Sequence, residues 1–467
     1  MLGAVGWSAM GVCGAVALGS AAAFDVRIAV ALAVAAVLGI AMALRPAVTV
    51  GLLVVTVFGE TLQLGGVTIS RLVAPIALLV VFMALTRAET GLFPGRPLIW
   101  AAAYASWALA SGLWTESTHG TVFSLASLAI ALIYMLAVAT LLNSALELRR
   151  VLYVLAFGAF VSGLVAIVGY FAGTGARTAA GKGDPNFFAA LQIVALPPLL
   201  VCAAEARSRW LRAFLYATVA VIVVSVFTSL SRGGLLALGV VLLLALLFPA
   251  RSFFRSRGQK AVLVLVLAAG FAVALQSTGG ALTARLGDVE DRGGSGRLNH
   301  WRAAWTLIKD DPMGGVGFGS YIGLSNDLLL RTPGTDLTHY KLRPNGSEVH
   351  NTYLSTTAEL GIPGLVLLLG LMISTARTFR RVAQDAADAS PFVARLANAL
   401  LLSLIGWALV SVFLSTETAR PFWILVGLSL ALPKIVRDEA RRAAPATGAQ
   451  PASPPLMRPK QDYASGS

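Results

Sequence analysis

EVHNTYLSTTAELGIPGLVLLLGLMIS, residues 348–374, changes character at its midpoint. The first half carries a histidine, an asparagine, several hydroxyls and a glutamate; the second half is apolar enough for lipid. Apolar runs like it recur throughout the 467 residues. A run of about 18 residues or more can cross the ~30 Å hydrocarbon core as a helix. Hydrophobic residues make up 57% of the chain and charged residues 12%, against about 25% charged in soluble domains. The period-2 alternation of a membrane barrel is absent. Helices satisfy their own backbone polar groups in lipid, so the sequence predicts an all-α, polytopic membrane protein.

Fourteen spans are expected, near 3–23, 28–44, 47–64, 71–86, 97–114, 121–142, 149–172, 187–204, 211–229, 233–248, 260–276, 361–376, 393–414 and 418–433. Twelve or thirteen also fit, since Glu60 and Gln63 weaken the third. Alternate loops plus the C-terminal tail hold 22 of the 36 basic residues, whereas the short loops on the other side hold six. The positive-inside rule then puts both termini in the cytoplasm. It also accounts for the net charge of +14 without invoking nucleic acid. Residues 1–23 end in small residues but lack a basic start, so they are expected to be a retained helix and not a cleaved signal. Cys13 and Cys202 lie in apolar runs and supply no disulfide framework.

The expected organisation is a transmembrane domain over 1–440, interrupted by a long outer loop at 277–349 and followed by a disordered cytoplasmic tail at 441–467. Within the loop, Arg297, Trp301, Ala304, Trp305 and Ile308 recur at helical spacing, predicting an amphipathic helix over 297–309 that lies against the membrane surface. Asp311 and Pro312 end it, and the glycines of GGVGFGSY make a turn-rich return.

Ionisable groups near membrane spans are costly and point to function. Four clusters gather on the outer side. TGARTAAGKGDPNFFAA supplies Arg177, Lys182, Asp184 and Asn186, with Asp184 and Pro185 opening a helix whose N-terminus suits a phosphate. SLSRGGLLAL joins two apolar segments by little more than Ser229, Ser231, Arg232 and two glycines, and an arginine fork matches phosphate oxygens. The loop helix adds Arg297, His300, Trp301 and Arg302. The opening stretch adds His350, Asn351 and Glu359. A neutral imidazole at His350 is suited to taking a proton from an acceptor hydroxyl. Glu359 can orient it only if the fold returns the carboxylate to that face, and Pro363 is expected to offset this short helix from the span. No metal-ligand spacing, Walker sequence or GxGxxG fingerprint is present.

In order, GDPNFFAA, SLSRGG, GRLNHWRAAWTLIKDDPMGGVGFGSY and HNTYLSTTAELGIPGLVLLL resemble the O-antigen ligase and O-antigen polymerase superfamily over roughly 170–376. The resemblance implies a metal-independent membrane glycosyltransferase without a cofactor. It would move a glycan from a polyprenyl-diphosphate donor to an acceptor hydroxyl on a glycan, lipid or protein, outside the cytoplasmic membrane and in contact with its lipids. On that basis Arg232 would hold the diphosphate with help from Arg297, Lys182 and Arg177. His350 would activate the acceptor, and Asn186, Ser231, Trp301, Asn351 and Glu359 would support the site. Two other readings stay open. A cell-wall polymerase of the shape and division family would use a loop aspartate such as Asp288 or Asp336. A transporter or flippase would show internal repeats and polar groups near mid-bilayer, whereas the polar groups here collect at span ends.

Overall fold

The computed structural model describes residues 39, 42, 45–59, 63–64, 67–86, 94–174, 179, 183–248, 253–254, 256–262, 264–265, 267–269, 272, 276, 296–337, 340 and 342–443. The expected spans at 3–23 and most of 28–44, the start of the long loop and the tail beyond 443 lie outside the described residues.

The described residues form an all-α, polytopic bundle. Its helices are α1 (Pro46–Phe58), α2 (Ile69–Thr86), α3 (Arg96–Ala110), α4 (Thr118–Leu141), α5 (Ala145–Gly169), α6 (Pro185–Glu205), α7 (Arg209–Thr228) and α8 (Arg232–Leu247). After these come α9 (Arg297–Asp310), α10 (Tyr321–Arg331), α11 (Thr352–Asp385), α12 (Pro391–Val410) and α13 (Arg420–Ala443). Seven are at least 18 residues long and apolar enough to cross a membrane. A two-residue antiparallel ribbon, β1 (Gln63–Leu64) with β2 (Val67–Thr68), precedes α2. It replaces the weak end of the expected third span, where Glu60 and Gln63 break the apolar run.

α6 is the axis of the bundle. Its apolar residues run all round it and nearly all are buried, as a helix enclosed by others requires. It packs against α5, α7, α8 and α12. α13 packs on α4, and α11 on α3 and α12. α3 and α11 are antiparallel: Trp107 Nε1 donates to Leu360 O at 2.9 Å, and ten residues along α11 the Trp100 ring covers Gly370. One end of the bundle is pinned by charge. Arg395 pairs with Glu205, joining α12 to α6; Lys434 donates to Asn143 Oδ1; and the Arg149 guanidinium stands 3.9 Å from the Phe392 ring centre. The polar clusters singled out in the sequence lie at the other end.

α9 and α10 belong to the long loop. α9 spans Arg297–Asp310, as its spacing predicts, but Trp301 does not face lipid. It packs into a small loop core with Ala304, Ile308, Tyr321, Val349 and Ala358, while Trp305 is exposed. The helical stripe is apolar because the loop has its own core to bury. α11 is interrupted at Gly361 (φ +66°, ψ −175°) and not at the expected Pro363. A Cβ on Gly361 would fall 2.2 Å from Met313 O, so the kink is set where the loop presses on the helix.

Candidate functional site

Two helix N-termini meet at the site. Asp184 caps α6, accepting from Asn186 N–H at 2.9 Å and from Asn186 Nδ2 at 3.0 Å. The amide oxygen Asn186 Oδ1 accepts from Ser231 Oγ at 2.9 Å, and Ser231 Oγ itself accepts from Gly234 N–H at 3.2 Å, capping α8. The SRGG glycines make this junction possible. A Cβ on Gly234 would lie 2.7 Å from the Ala189 methyl, and one on Gly233 would lie 2.6 Å from the Phe413 ring. Arg232, half-buried, leaves the first turn of α8 from this junction.

The glycine-rich return fastens the long loop to the head of α11. Val316 N–H donates to Ala358 O at 3.1 Å and Gly317 N–H to Glu359 O at 2.9 Å. The buried Glu359 carboxyl accepts from Gly319 N–H at 2.8 Å and Tyr321 N–H at 3.1 Å. Gly315, Gly317 and Gly319 all have positive φ, which this tight backbone-on-backbone approach demands. The expectation that Glu359 orients His350 therefore gives way. Its partners are loop amides, because its position on α11 turns it toward the return and away from the imidazole.

Tyr321, so anchored, meets His300. The His300 ring is bonded through Nδ1 to Tyr321 Oη at 3.1 Å and through Nε2 to Tyr340 Oη at 2.7 Å. Tyr340 Oη donates onward to Ser347 Oγ at 3.1 Å. Gly296, with φ +78°, lets the Tyr340 ring close over the start of α9. His300 stands edge-on to His350, with ring centres 6.5 Å apart and planes at 89°.

His350 has φ +57°, a left-handed conformation uncommon outside glycine and worth attention at a functional site. The residues either side hold it. Its own N–H donates to Ser415 Oγ at 3.2 Å. Asn351 caps α11, accepting from Tyr353 and Leu354 N–H at 3.0 Å each. Thr352 N–H donates to Ser411 O at 2.9 Å. The imidazole Nδ1 makes no hydrogen bond and stands 3.8 Å from Glu348 Oε2. Burial holds the His350 imidazole down at about 4; Arg297 and Arg343 add to the depression, and Asp184 opposes it. The ring is therefore neutral at neutral pH. His300 is also lowered to about 4, by burial first and then by His350 and Arg343. Burial pushes the Glu348 carboxyl up to about 7; Asp184 adds to the rise and Arg343 opposes it. About half of that side chain (48%) still reaches solvent, so Glu348 stands at the edge of the site.

The site thus joins His350, Glu348, Asp184, Arg297, Arg343 and His300, with Arg232 entering beside the Asn186–Ser231 link. Of the residues singled out in the sequence, Arg232, Asn186, Ser231, Arg297, His350 and Asn351 lie at this end. Trp301 supports it from the loop core. Arg177 and Lys182 lie outside the described residues. Sequence reasoning misses Glu348, Arg343, Tyr321 and Tyr340 as site residues. Glu348 was legible as a carboxylate two residues before His350. Among the described residues no group of three or more His, Cys, Asp or Glu could hold a metal ion.

What this arrangement offers is a neutral imidazole among guanidinium and carboxyl groups. Residues 217–369 match the family described as O-Antigen ligase. The match supports the O-antigen ligase and polymerase superfamily. The matched region runs from within α7 to within α11, so it contains Ser231, Arg232, Arg297, His300, Glu348 and His350. Asp184 and Asn186 come from outside it and are brought in by α6. No curated protein matches the chain.

Proposed function

We propose that the protein is a membrane glycosyltransferase that moves a glycan from a polyprenyl-diphosphate donor to an acceptor hydroxyl, on the outer side of the cytoplasmic membrane. A role in polysaccharide ligation follows from the O-antigen ligase region; the donor and the side are our reading. The observation that carries it is the neutral His350 imidazole, held at φ +57° with Nδ1 3.8 Å from Glu348 Oε2 and near enough to Arg297 and Arg343 to be lowered by them.

The chemistry runs as follows. Guanidinium groups of Arg232, Arg297 and Arg343 engage the donor diphosphate, as their planar forks allow. An acceptor hydroxyl enters beside His350. Its oxygen bonds to the anomeric carbon while the bond from that carbon to the diphosphate oxygen breaks, and its proton passes to the free imidazole nitrogen Nε2. Attack opposite the leaving group inverts the anomeric centre. The arginines offset charge gathering on the departing diphosphate, and Glu348, at the Nδ1 side, offsets the imidazolium that forms. A value of about 4 is low for a base in the empty site. A bound diphosphate raises it in part, because offsetting Arg297 and Arg343 weakens two of the charges that add to the effect of burial.

The test uses purified protein in vesicles with a synthetic polyprenyl-diphosphate oligosaccharide and an oligosaccharide acceptor. Extended product and released polyprenyl diphosphate are expected in equal amounts. Arg232→Lys keeps the charge but loses the fork, so donor use should fall at least tenfold. Absence of product with every acceptor class, or undiminished use by Arg232→Lys, would overturn the reading.

A further inference from the structure

At the far end of α11 from His350, a cleft opens between α3 and α11. Its floor is the Trp100 ring over Gly370, where a Cβ would come within 2.3 Å of the ring. The cleft encloses about 680 Å³. One part of its lining is Arg96, Arg377 and Arg381; another is Ile99, Val366 and Ile373. No carboxylate lines it. Ile99, Val366 and Ile373 are about half or more exposed, at 69%, 52% and 49%, so this wall faces out of the bundle.

Depth along the helix assigns a medium to each part. Arg377 lies 16 residues beyond the Gly361 kink, which at 1.5 Å per residue is about 24 Å of unbroken helix. With its own long side chain it reaches the headgroup layer at the edge of the ~30 Å hydrocarbon core. Val366 and Ile373 fall within the hydrocarbon. Arg377 and Arg381, at i and i+4, share a face, where like charges repel. Among the described residues neither they nor Arg96 form an ion pair. A snorkelling arginine needs no cleft. Here three guanidinium groups converge at headgroup depth on the rim of an apolar channel that opens toward lipid. The comparable cleft beside α1 holds Arg45 and Arg150 but also Glu147, which offsets its charge.

We propose that the α3–α11 cleft seats an anionic phospholipid, its phosphate held by Arg96, Arg377 and Arg381 and an acyl chain lying along Ile99, Val366 and Ile373. Arginine forks match phosphate oxygens, and a basic pocket between membrane helices suits an anionic headgroup. The site is independent of the transfer chemistry, lying toward the other end of α11 from His350.

The full chain would be placed in nanodiscs of dioleoylphosphatidylcholine, with and without 20 mol% dioleoylphosphatidylglycerol. Melting temperature and lipid retained in native mass spectrometry would be recorded. Wild type should melt several degrees higher with the anionic lipid and retain it. R96Q/R377Q/R381Q should lose both effects, while R207Q/R209Q/R380Q, removing three arginines outside the cleft, should keep them. Ile373→Trp leaves the arginines intact and fills the channel; it should lose retention while remaining folded. Equal retention of both lipids by wild type would overturn the proposal. So would an undiminished effect in the cleft variants, or an equal loss in the control.

Discussion

Glu359→Ala should loosen the long loop before it unfolds the bundle. The carboxyl is 5% exposed and is the acceptor for both Gly319 N–H and Tyr321 N–H. Alanine leaves two buried donors unpaired, at about 1–3 kcal/mol each, or about 2–6 kcal/mol together. Glutamine keeps one acceptor oxygen and turns an NH2 toward the second donor, so it should forfeit about half. The backbone bonds Val316 N–H to Ala358 O and Gly317 N–H to Glu359 O remain, which localises the damage to residues 318–321. Hydrogen exchange read by mass spectrometry on peptides across that turn is the assay. About 1.4 kcal/mol is tenfold in an opening equilibrium, so Glu359→Gln should raise exchange at Gly319 and Tyr321 about 10- to 100-fold, and Glu359→Ala further. Glycan transfer should fall in the same order, because Tyr321 holds His300 and His300 stands against His350. Unchanged exchange at both amides in Glu359→Ala would refute the anchoring role.

Gly361→Ala forces a methyl against Met313 O at φ +66°; a loss of about 2–4 kcal/mol is expected, read as a fall in melting temperature in micelles. Ser231→Ala removes the α8 cap and the link to Asn186, for about 1–2 kcal/mol; chemical denaturation should show it, with Ser231→Thr retaining part. The buried His300, lowered from 6.5 to about 4, binds fewer protons folded than unfolded in that interval. Its contribution of about 3 kcal/mol is thus complete above pH 6.5 and lost as pH falls toward 4, and His300→Gln should flatten the acid arm of melting temperature against pH. Glu348, raised from 4.5 to about 7, works in the opposite sense: its contribution is present below pH 4.5 and lost as pH rises through 7. Glu348→Gln should flatten that arm.

The bundle was legible because hydropathy and run length are properties of single segments. Each of the eleven expected spans between 47 and 433, other than 260–276, holds a described helix, although the one at 47–64 ends at Phe58. The loop helix, the Asp184 cap and the polar residues at span ends could be read for the same reason. The site was legible only in part, because it is made by convergence. Nothing in the sequence says that Asp184 and Glu348 act on one imidazole, or that Asn186 takes the Ser231 hydroxyl; α6 and α8 must first be packed side by side. The partners of Glu359 could not be read, because helical spacing gives the face of a residue but not what lies against it. That Trp301 packs on a small loop core could not be read, because an amphipathic stripe looks alike whether a membrane or a loop core covers it. The kink fell at Gly361 instead of Pro363 because close approach by Met313 O, a tertiary contact, fixed it.

The most direct measurement concerns His350 alone. Its replacement by glutamine preserves size and polarity but removes the proton acceptor, and general base catalysis is worth about 10²–10⁴ in rate. In vesicles, with saturating donor, the transfer rate of His350→Gln should fall by at least about 100-fold, while the donor still binds and the melting temperature stays near that of wild type. Transfer within a few-fold of wild type would show that the imidazole takes no proton, and that the site serves some other chemistry.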